Sequence, residues 1–164
     1  MERMNHDRRT FLTVTGLSAL TAACGGAPAE AAQRFEINLT DAEWKKRLSP
    51  AAYNILRKDG TERPFSSPLN NEHRAGIFAC AGCALPLFSS GTKFDSGTGW
   101  PSFYAPLANA VVNRTDSTLG MRRTEVRCRR CGGHLGHVFD DGPKPTGLRY
   151  CMNGVALGFV PGKA

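Results

Sequence analysis

The pattern of apolar and polar residues in the first part of the chain predicts two short helices. Thr40 to Glu43 has the sequence of a capping box, with a hydroxyl at the N-cap and a carboxylate three residues later, and predicts a helix to about Leu48. Ser49-Pro50 predicts the start of a second helix, which runs to Lys58 and is stopped by Gly60. The apolar positions of both helices, which we interpret as core, are Trp44, Leu48, Tyr53 and Leu56.

Beyond Pro64 the apolar runs become short and are separated by glycine and proline. Such runs predict short strands in an antiparallel, mainly β domain. The predicted strands are 76–80, 110–113, 124–128, 134–139, 148–152 and 155–160. Because the chain contains 18 Gly and 10 Pro, we expect its loops to carry much of the function. The sequence contains no internal repeat, heptad pattern or GxxxxGK phosphate loop.

The length and charge of the chain narrow the possible classes of protein. A chain of 164 residues suits one domain plus a leader, and its net charge is +7. Basic side chains cluster at Arg122-Arg123 and at 127–130, which leaves nucleic-acid binding open. Since most other basic residues are scattered, we interpret the excess charge as a solvated basic face.

The N-terminus predicts export. Asp7-Arg8-Arg9-Thr10-Phe11-Leu12 matches a twin-arginine signal, and a weakly apolar stretch over 11–23 follows it. That stretch is too short and too polar to span a bilayer as a mature helix. The sequence therefore predicts an exported protein of the periplasm or cell envelope; the alternative is a disordered basic start of a cytosolic protein.

Two cleavage sites compete in this leader. Thr21-Ala22-Ala23-Cys24 resembles a lipobox with threonine where leucine is usual, and only a lipidated Cys24 would attach the protein to a membrane. Ala29-Glu30-Ala31 is an ordinary cleavage site, and we favour simple secretion. Residues 1–32 are thus assigned to signal peptide and linker, and residues 33–164 to the folded domain.

Four of the six cysteines form two C-x2-C pairs. Cys80 and Cys83 are followed, after 44 intervening residues, by Cys128 and Cys131. Two such pairs with glycines in or after each turn are typical of a four-thiolate Zn²⁺ site, and we predict structural zinc. The alternatives are two disulfides or redox-active motifs.

Cys151 lies outside this set and has the surroundings of a nucleophile. In a strand, Arg149 and Asn153 fall on the same face as Cys151, and a nearby cation lowers a thiol pKa. Upstream, 134–142 supplies two imidazoles and two carboxylates, from His134, His137, Asp140 and Asp141, which can shuttle protons or orient one another.

Each of these residues also has a structural interpretation. A lone Cys151 can be an inert core residue, His134 an alternative zinc ligand, and Asp140 to Pro143 only a turn. The segment 94–103 places Trp100 among glycines before a proline, which is typical of loop packing as well as of an apolar binding wall.

Taken together, these segments resemble the B-type methionine sulfoxide reductases, which reduce the R epimer at sulfur. The resemblance covers about 35–160. Its motifs are 39–44, 60–65, both C-x2-C pairs, 93–97, 99–103, 133–139 and 147–153. It implies a mainly β fold of two antiparallel sheets with short N-terminal helices, and a four-cysteine zinc site away from the active site.

The resemblance also implies roles for the matching residues. Cys151 would attack the sulfoxide sulfur of methionine sulfoxide in oxidised proteins and become a sulfenic acid. His134 and His137 would bind and protonate the sulfoxide oxygen, with Asn153 helping to position it. Arg149 and Asp141 would tune the thiolate and the imidazole. Trp100 and Phe139 would form the substrate pocket.

One position departs from the family pattern. Many members have a resolving cysteine in the loop before the tryptophan, where this chain has Thr98. A threonine cannot form the disulfide that captures a sulfenic acid, so the sequence predicts a one-cysteine cycle completed by an external, thioredoxin-like or small thiol. The rival interpretations are a zinc-ribbon module that binds nucleic acid without redox activity, and a thiol hydrolase. An export signal speaks against nucleic acid as the partner.

Overall fold

The computed structural model describes residues 34–163. The predicted signal peptide, its two cleavage sites and Cys24 fall in residues 1–33 and lie outside the described residues. Between Arg34 and Lys163, no helix combines the length and apolarity needed to cross a membrane.

The two predicted helices are present. α1 spans Asp41–Arg47, and Thr40 and Glu43 form the predicted capping box, since Thr40 N donates to Glu43 Oε2 at 2.7 Å. α2 spans Pro50–Lys58 with Ser49 as its N-cap. The helix ends at Lys58 as predicted, but the residue that takes the left-handed conformation after it is Asp59 (φ 54°) and not Gly60. The apolar face is confirmed: Trp44, Leu48 and Leu56 are buried and Tyr53 is half-buried.

Nine strands within residues 34–163 form two antiparallel sheets, as predicted. In chain order they are β1 (Gly76–Cys80), β2 (Pro86–Ser89), β3 (Lys93–Phe94), β4 (Ser102–Phe103), β5 (Val111–Asp116), β6 (Arg123–Cys128), β7 (His134–Phe139), β8 (Arg149–Met152) and β9 (Leu157–Pro161). The smaller sheet has the order β2-β1-β9, and the larger has the order β3-β4-β8-β7-β6-β5.

All six predicted strands exist, but three others were not predicted. β1 and β7 have the predicted bounds, whereas β9 begins later, after a 3-10 turn at Gly154–Ala156. The strands missed from the sequence are β2, β3 and β4. β3 and β4 contain two residues each, which is too short for an alternating pattern to be visible.

An aromatic cluster joins the two sheets. Phe78 of β1 and Phe88 of β2 are fully buried and meet Phe103 of β4. The rings of Phe88 and Phe103 stack with centroids 4.4 Å apart, and Phe78 meets Phe103 edge-on at 4.9 Å. These contacts fix β4 in the core and thereby position β8, which pairs with it.

A β-bulge in β7 decides which residues face the same side of the larger sheet. Gly136 pairs with Val126 and His134 with Arg127, so β7 carries one extra residue opposite β6. Residues three apart in a regular strand point to opposite faces. The extra residue brings His134 and His137 to one face, where their ring centroids lie 5.5 Å apart.

Gly136 is required by the close approach of β7 and β8. A Cβ added to Gly136 would lie 2.1 Å from the carbonyl oxygen of Cys151. Such contacts do not occur in folded proteins, so a side chain here would push the two strands apart.

We therefore expect Gly136→Ala to lower the free energy of unfolding by about 1–3 kcal/mol, the usual cost of overpacking. Gly158→Ala is the matched control, because Gly158 is also a strand glycine and a Cβ there meets no atom within 4 Å. Urea denaturation of both variants measures the difference. Equal stability of the two would contradict the close approach.

Candidate functional site

The four paired cysteines converge on one buried cluster. Their sulfur atoms all lie within 4.8 Å of one another, with Cys80 Sγ 3.7 Å from Cys131 Sγ and Cys83 Sγ 3.5 Å from Cys128 Sγ. A disulfide requires about 2.05 Å, so these are thiols and the alternative of two disulfides is not supported. A tetrahedral ion with sulfur ligands at about 2.3 Å separates the sulfurs by about 3.8 Å, which this cluster matches. The cluster could therefore bind a metal ion.

The cluster connects the two sheets. Cys80 ends β1 of the smaller sheet, and Cys128 ends β6 of the larger sheet. Leu56 of α2 covers the turn of the second C-x2-C pair, since a Cβ on Gly133 would lie 2.9 Å from the Leu56 side chain. Arg57 of the same helix donates to the carbonyl oxygen of Cys131 at 3.0 Å. A bound ion would thus tie the helix and both sheets together.

Cys151 lies at the centre of a row of residues that crosses the larger sheet. Ser102 of β4 pairs with Cys151 of β8, and Cys151 pairs with His137 of β7. Directly opposite residues in antiparallel strands share a face, so the hydroxyl, the thiol and the imidazole lie side by side. Sequence separations of 49 and 14 residues give no sign of this row.

A cavity of about 140 Å³ opens beside this row. It is smaller than the 300 Å³ or more of typical drug-sized sites, and suits the end of one side chain. The residues that line it are Thr61, Trp100, Arg123, Gly136, His137, Phe139, Cys151 and Asn153. Five predicted site residues, Trp100, His137, Phe139, Cys151 and Asn153, are among them, whereas His134, Arg149 and Asp141 are not.

Hydroxyl groups surround the Cys151 thiol. Thr98 Oγ1 lies 3.9 Å from Cys151 Sγ and 2.8 Å from Ser96 Oγ, which in turn lies 2.8 Å from Ser102 Oγ. Burial raises the pKa of Cys151, and the hydrogen bond with Thr98 and the charge of Arg149 only partly oppose it. Arg149 acts in the predicted direction but does not dominate. At neutral pH the resting group is therefore mainly the thiol.

His137 belongs to a charged cluster that the sequence did not reveal. Its Nε2 lies 2.8 Å from Asp116 Oδ2, and Arg123 Nη2 lies 2.7 Å from the same oxygen. Burial lowers the pKa of His137, and the charge of Arg123 lowers it further, while the hydrogen bond to Asp116 opposes both. Hydrogen bonds, first from Thr118 and then from His137, hold the pKa of Asp116 well below its usual range. Asp116 remains ionised and orients the imidazole.

His134 lies next to His137 and is buried. Its Nδ1 is 2.6 Å from Glu125 Oε1, which also pairs with Arg127 at 2.8 Å. Burial raises the pKa of Glu125, but the hydrogen bonds from His134 and Arg127 outweigh it and leave the pKa below its usual value. The alternative of His134 as a ligand of the cysteine site is not supported, because the four cysteines converge on one another and His134 is not part of their group. His134 Nε2 is buried without a hydrogen-bond partner among the described residues, and such atoms usually mark a place where water or a ligand binds.

Arg149 and Asp141 form a pair next to the cavity. The guanidinium donates two hydrogen bonds to the carboxylate, each 2.8 Å long, and lowers the pKa of Asp141. The guanidinium also lies 4.5 Å from the ring centroid of Phe139. Asp141 therefore contacts Arg149, while the carboxylates that contact the imidazoles are Asp116 and Glu125. Through Phe139 the pair supports one wall of the cavity.

Glu62 holds two other lining residues, Trp100 and Asn153, in place, and the sequence assigned it no role. Its carboxylate accepts from the backbone N–H of Gly154 at 2.6 Å and of Val155 at 2.9 Å. Its own N–H donates to Asn153 Oδ1, and its carbonyl accepts from Trp100 Nε1 at 3.1 Å. Asn153 and Trp100 are thus fixed by one residue that lies 38 positions before Trp100.

Most basic side chains of the two clusters form ion pairs within the domain. Arg123 pairs with Asp116, and Arg127 bridges Asp59 and Glu125, with side chains 26% and 15% exposed. The interpretation as a solvated face is therefore wrong for Arg123 and Arg127. Arg129 and Arg130 both pair with Glu36, by contacts of 2.5 and 3.6 Å. These pairings leave the nucleic-acid alternative without its main support.

Comparison with known proteins gives a matching family and several similar relatives. The family described as "SelR domain" matches residues 48–161. A peptide methionine sulfoxide reductase MsrB of Agrobacterium fabrum is 56% identical over 127 residues, which cover 77% of this chain and 94% of that protein. MsrB of Thiobacillus denitrificans is 60% identical over 123 residues, covering 74% and 93%, and MsrB of Leptospira interrogans is 54% identical over 126 residues, covering 76% and 96%.

Proposed function

Because the chain belongs to the MsrB family of peptide methionine sulfoxide reductases, we propose that Cys151 reduces the R epimer of protein-bound methionine sulfoxide through a sulfenic acid. Reduction of methionine sulfoxide at the expense of a reductant follows from the family itself. The proposed parts are the R epimer as substrate, the sulfenic acid as intermediate and the roles of the individual residues. The observation that carries it is the placement of Cys151 and His137 side by side in one side-chain-sized cavity.

The first step transfers one oxygen atom. The Cys151 sulfur attacks the sulfoxide, the sulfur–oxygen bond of the substrate breaks, and the products are methionine and a Cys151 sulfenic acid. The thiol proton balances the oxygen that arrives on Cys151. Because burial disfavours the thiolate, proton transfer to the sulfoxide oxygen has to accompany the attack.

His137 is the group best placed to assist that transfer. It lies directly opposite Cys151, and Asp116 holds its Nε2. His134 does not line the cavity, and its buried Nε2, which has no partner among the described residues, suits a water between this ring and the substrate. The remaining N–H of the Asn153 amide can contribute, since its other N–H donates to Leu135 O. Trp100 supplies a flat apolar wall for the methyl group.

We expect the full-length chain with dithiothreitol to reduce the R epimer of a blocked methionine sulfoxide and to leave the S epimer unchanged. Cys151→Ser should reduce turnover to background, and His137→Gln should lower it by about 10²–10⁴-fold, the range for a lost general acid–base group that relays the thiol proton. Chromatography of resolved epimers measures both. Folded, metal-loaded protein without turnover of either epimer would refute the proposed function.

Within residues 34–163, the absence of a second thiol near Cys151 supports a one-cysteine cycle. The described part of the chain contains five cysteines, of which four form the buried cluster. Thr98 occupies the position facing Cys151 at 3.9 Å. An external thiol would attack the sulfenic acid and release water, and a second thiol would cleave the resulting mixed disulfide. A thioredoxin-like protein or a small thiol can supply both.

One turnover without reductant tests this cycle. The wild-type chain should gain one oxygen on Cys151 and form no disulfide to it, whereas Thr98→Cys should form a 98–151 disulfide. Thr98→Ser is the matched control, because it keeps the hydroxyl and adds no thiol. Peptide mapping by mass spectrometry distinguishes the products. A disulfide to Cys151 in the wild-type chain would show that the one-cysteine cycle is wrong.

We also propose that the four-cysteine cluster binds Zn²⁺, since four thiolates in tetrahedral spacing favour this ion. Zinc would hold the helix and the two sheets together and take no part in the reaction, as none of its four ligands lines the cavity.

The expected metal content is one zinc per chain in the wild type and in Cys151→Ser, and less than half of that in Cys128→Ser. Structural zinc contributes about 10–16 kcal/mol in small domains, which is as large as the whole stability of a typical domain, about 5–15 kcal/mol. A strong chelator should therefore unfold the wild-type domain. Elemental analysis measures the zinc content, and circular dichroism measures the unfolding. A metal-free chain of unchanged stability would rule zinc out.

Export to the periplasm or envelope stays a prediction from Arg8-Arg9 and the stretch that follows. Fractionation of cells that make the full chain tests it, and a cytosolic, uncleaved protein would contradict it.

A further inference from the structure

Phe65 occupies an unusual position in a turn beside the cavity. Ser66 N donates to Arg63 O, which closes a turn with Phe65 as its third residue. The φ angle of Phe65 is 61°, in the left-handed region. Turns with a positive φ at this position normally use Gly or Asn, because a Cβ clashes with the backbone. A bulky residue in this region therefore carries an energetic cost.

Burial does not compensate for that cost. Phe65 is 73% exposed, more than Met121 and Val160, which are each 57% exposed. The ring contacts the domain beside Gly99, but most of its surface faces solvent, so packing does not explain the strained conformation. Strained residues cluster at active sites and ligand-binding sites.

The turn is attached to the loop that forms the cavity. Phe65 N donates to the carbonyl oxygen of Gly99 at 2.7 Å, and a Cβ on Gly99 would lie 2.9 Å from the Phe65 ring. Trp100, the next residue, lines the cavity, and so does Thr61 at the other end of the same segment. Glu62, between Thr61 and Phe65, is held by the bonds that fix Trp100 and Asn153. Phe65 is therefore a rigid continuation of the cavity wall.

We propose that Phe65 binds an apolar side chain adjacent to the oxidised methionine, and so favours polypeptide substrates that have an apolar residue at that position. The inference rests on the proposed function and specifies which protein-bound sites it favours. The cavity holds only the end of one side chain, so the neighbouring residues of a polypeptide substrate make their contacts outside it. A pre-ordered aromatic ring binds apolar groups at low conformational cost.

The test compares the full chain with Phe65→Gly and Phe65→Trp on three substrates of R configuration. These are free methionine sulfoxide, a peptide with leucines on both sides of the sulfoxide, and the same peptide with glycines there. In Phe65→Gly, kcat/KM for the leucine peptide should fall about tenfold, while the values for the other two substrates change less than twofold. Phe65→Trp should keep the preference. Val160→Ala, which removes an exposed apolar side chain from β9, is the matched control and should change nothing.

Stability provides an independent readout. Since glycine accepts the left-handed conformation, Phe65→Gly should keep or raise the Tm. A lower Tm, or an equal loss with all three substrates, would show that Phe65 serves the fold and would overturn the inference. An active wild type with no change in the leucine-to-free ratio would overturn the inference alone. If the wild type reduces none of the substrates, the proposed function fails with it.

Discussion

The site depends on how closely β7 approaches β8. Gly136 has no side chain, so its strand can come near enough to the Cys151 carbonyl that a Cβ would lie only 2.1 Å away. The same strand carries the bulge that turns His134 and His137 to one face. One short stretch of backbone therefore sets both the depth of the thiol and the position of the imidazoles. A side chain or a regular strand at this point would separate the groups that have to act together.

The electrostatic arrangement around Cys151 favours proton transfer over a permanent thiolate. Burial raises the pKa of the thiol, and the hydroxyl of Thr98 and the charge of Arg149 do not reverse this. Burial also lowers the pKa of His137, although ionised Asp116 stabilises its protonated form. Both groups thus tend to be neutral when the cavity is empty. A reaction that moves a proton while sulfur attacks suits such a pair, because no isolated charge has to persist in a buried site.

The rest of the domain supplies rigidity from two directions. The cysteine cluster lies where turns of the two sheets meet α2, and the aromatic cluster of Phe78, Phe88 and Phe103 fills the space between the sheets. Glu62 then locks the segment before β1 to the backbone after β8. Because these contacts hold the cavity walls, a strained residue such as Phe65 can be kept exposed at the rim.

The sequence alone determined the features that are encoded locally. Residue type and short spacing were enough to predict the capping box at Thr40, the two C-x2-C pairs, the antiparallel class and Cys151 as the separate thiol. Asp116, Glu125 and Glu62 could not be found in this way, because each acts on a residue brought to it by strand pairing or by a loop. Only the tertiary structure decided that Asp141 pairs with Arg149. It also decided that His134 lies on the same face of the sheet as His137. Contacts between residues far apart in the chain depend on strand register and on bulges. A shift of one residue leaves the local sequence pattern almost unchanged. The same shift sends a side chain to the other face of the sheet.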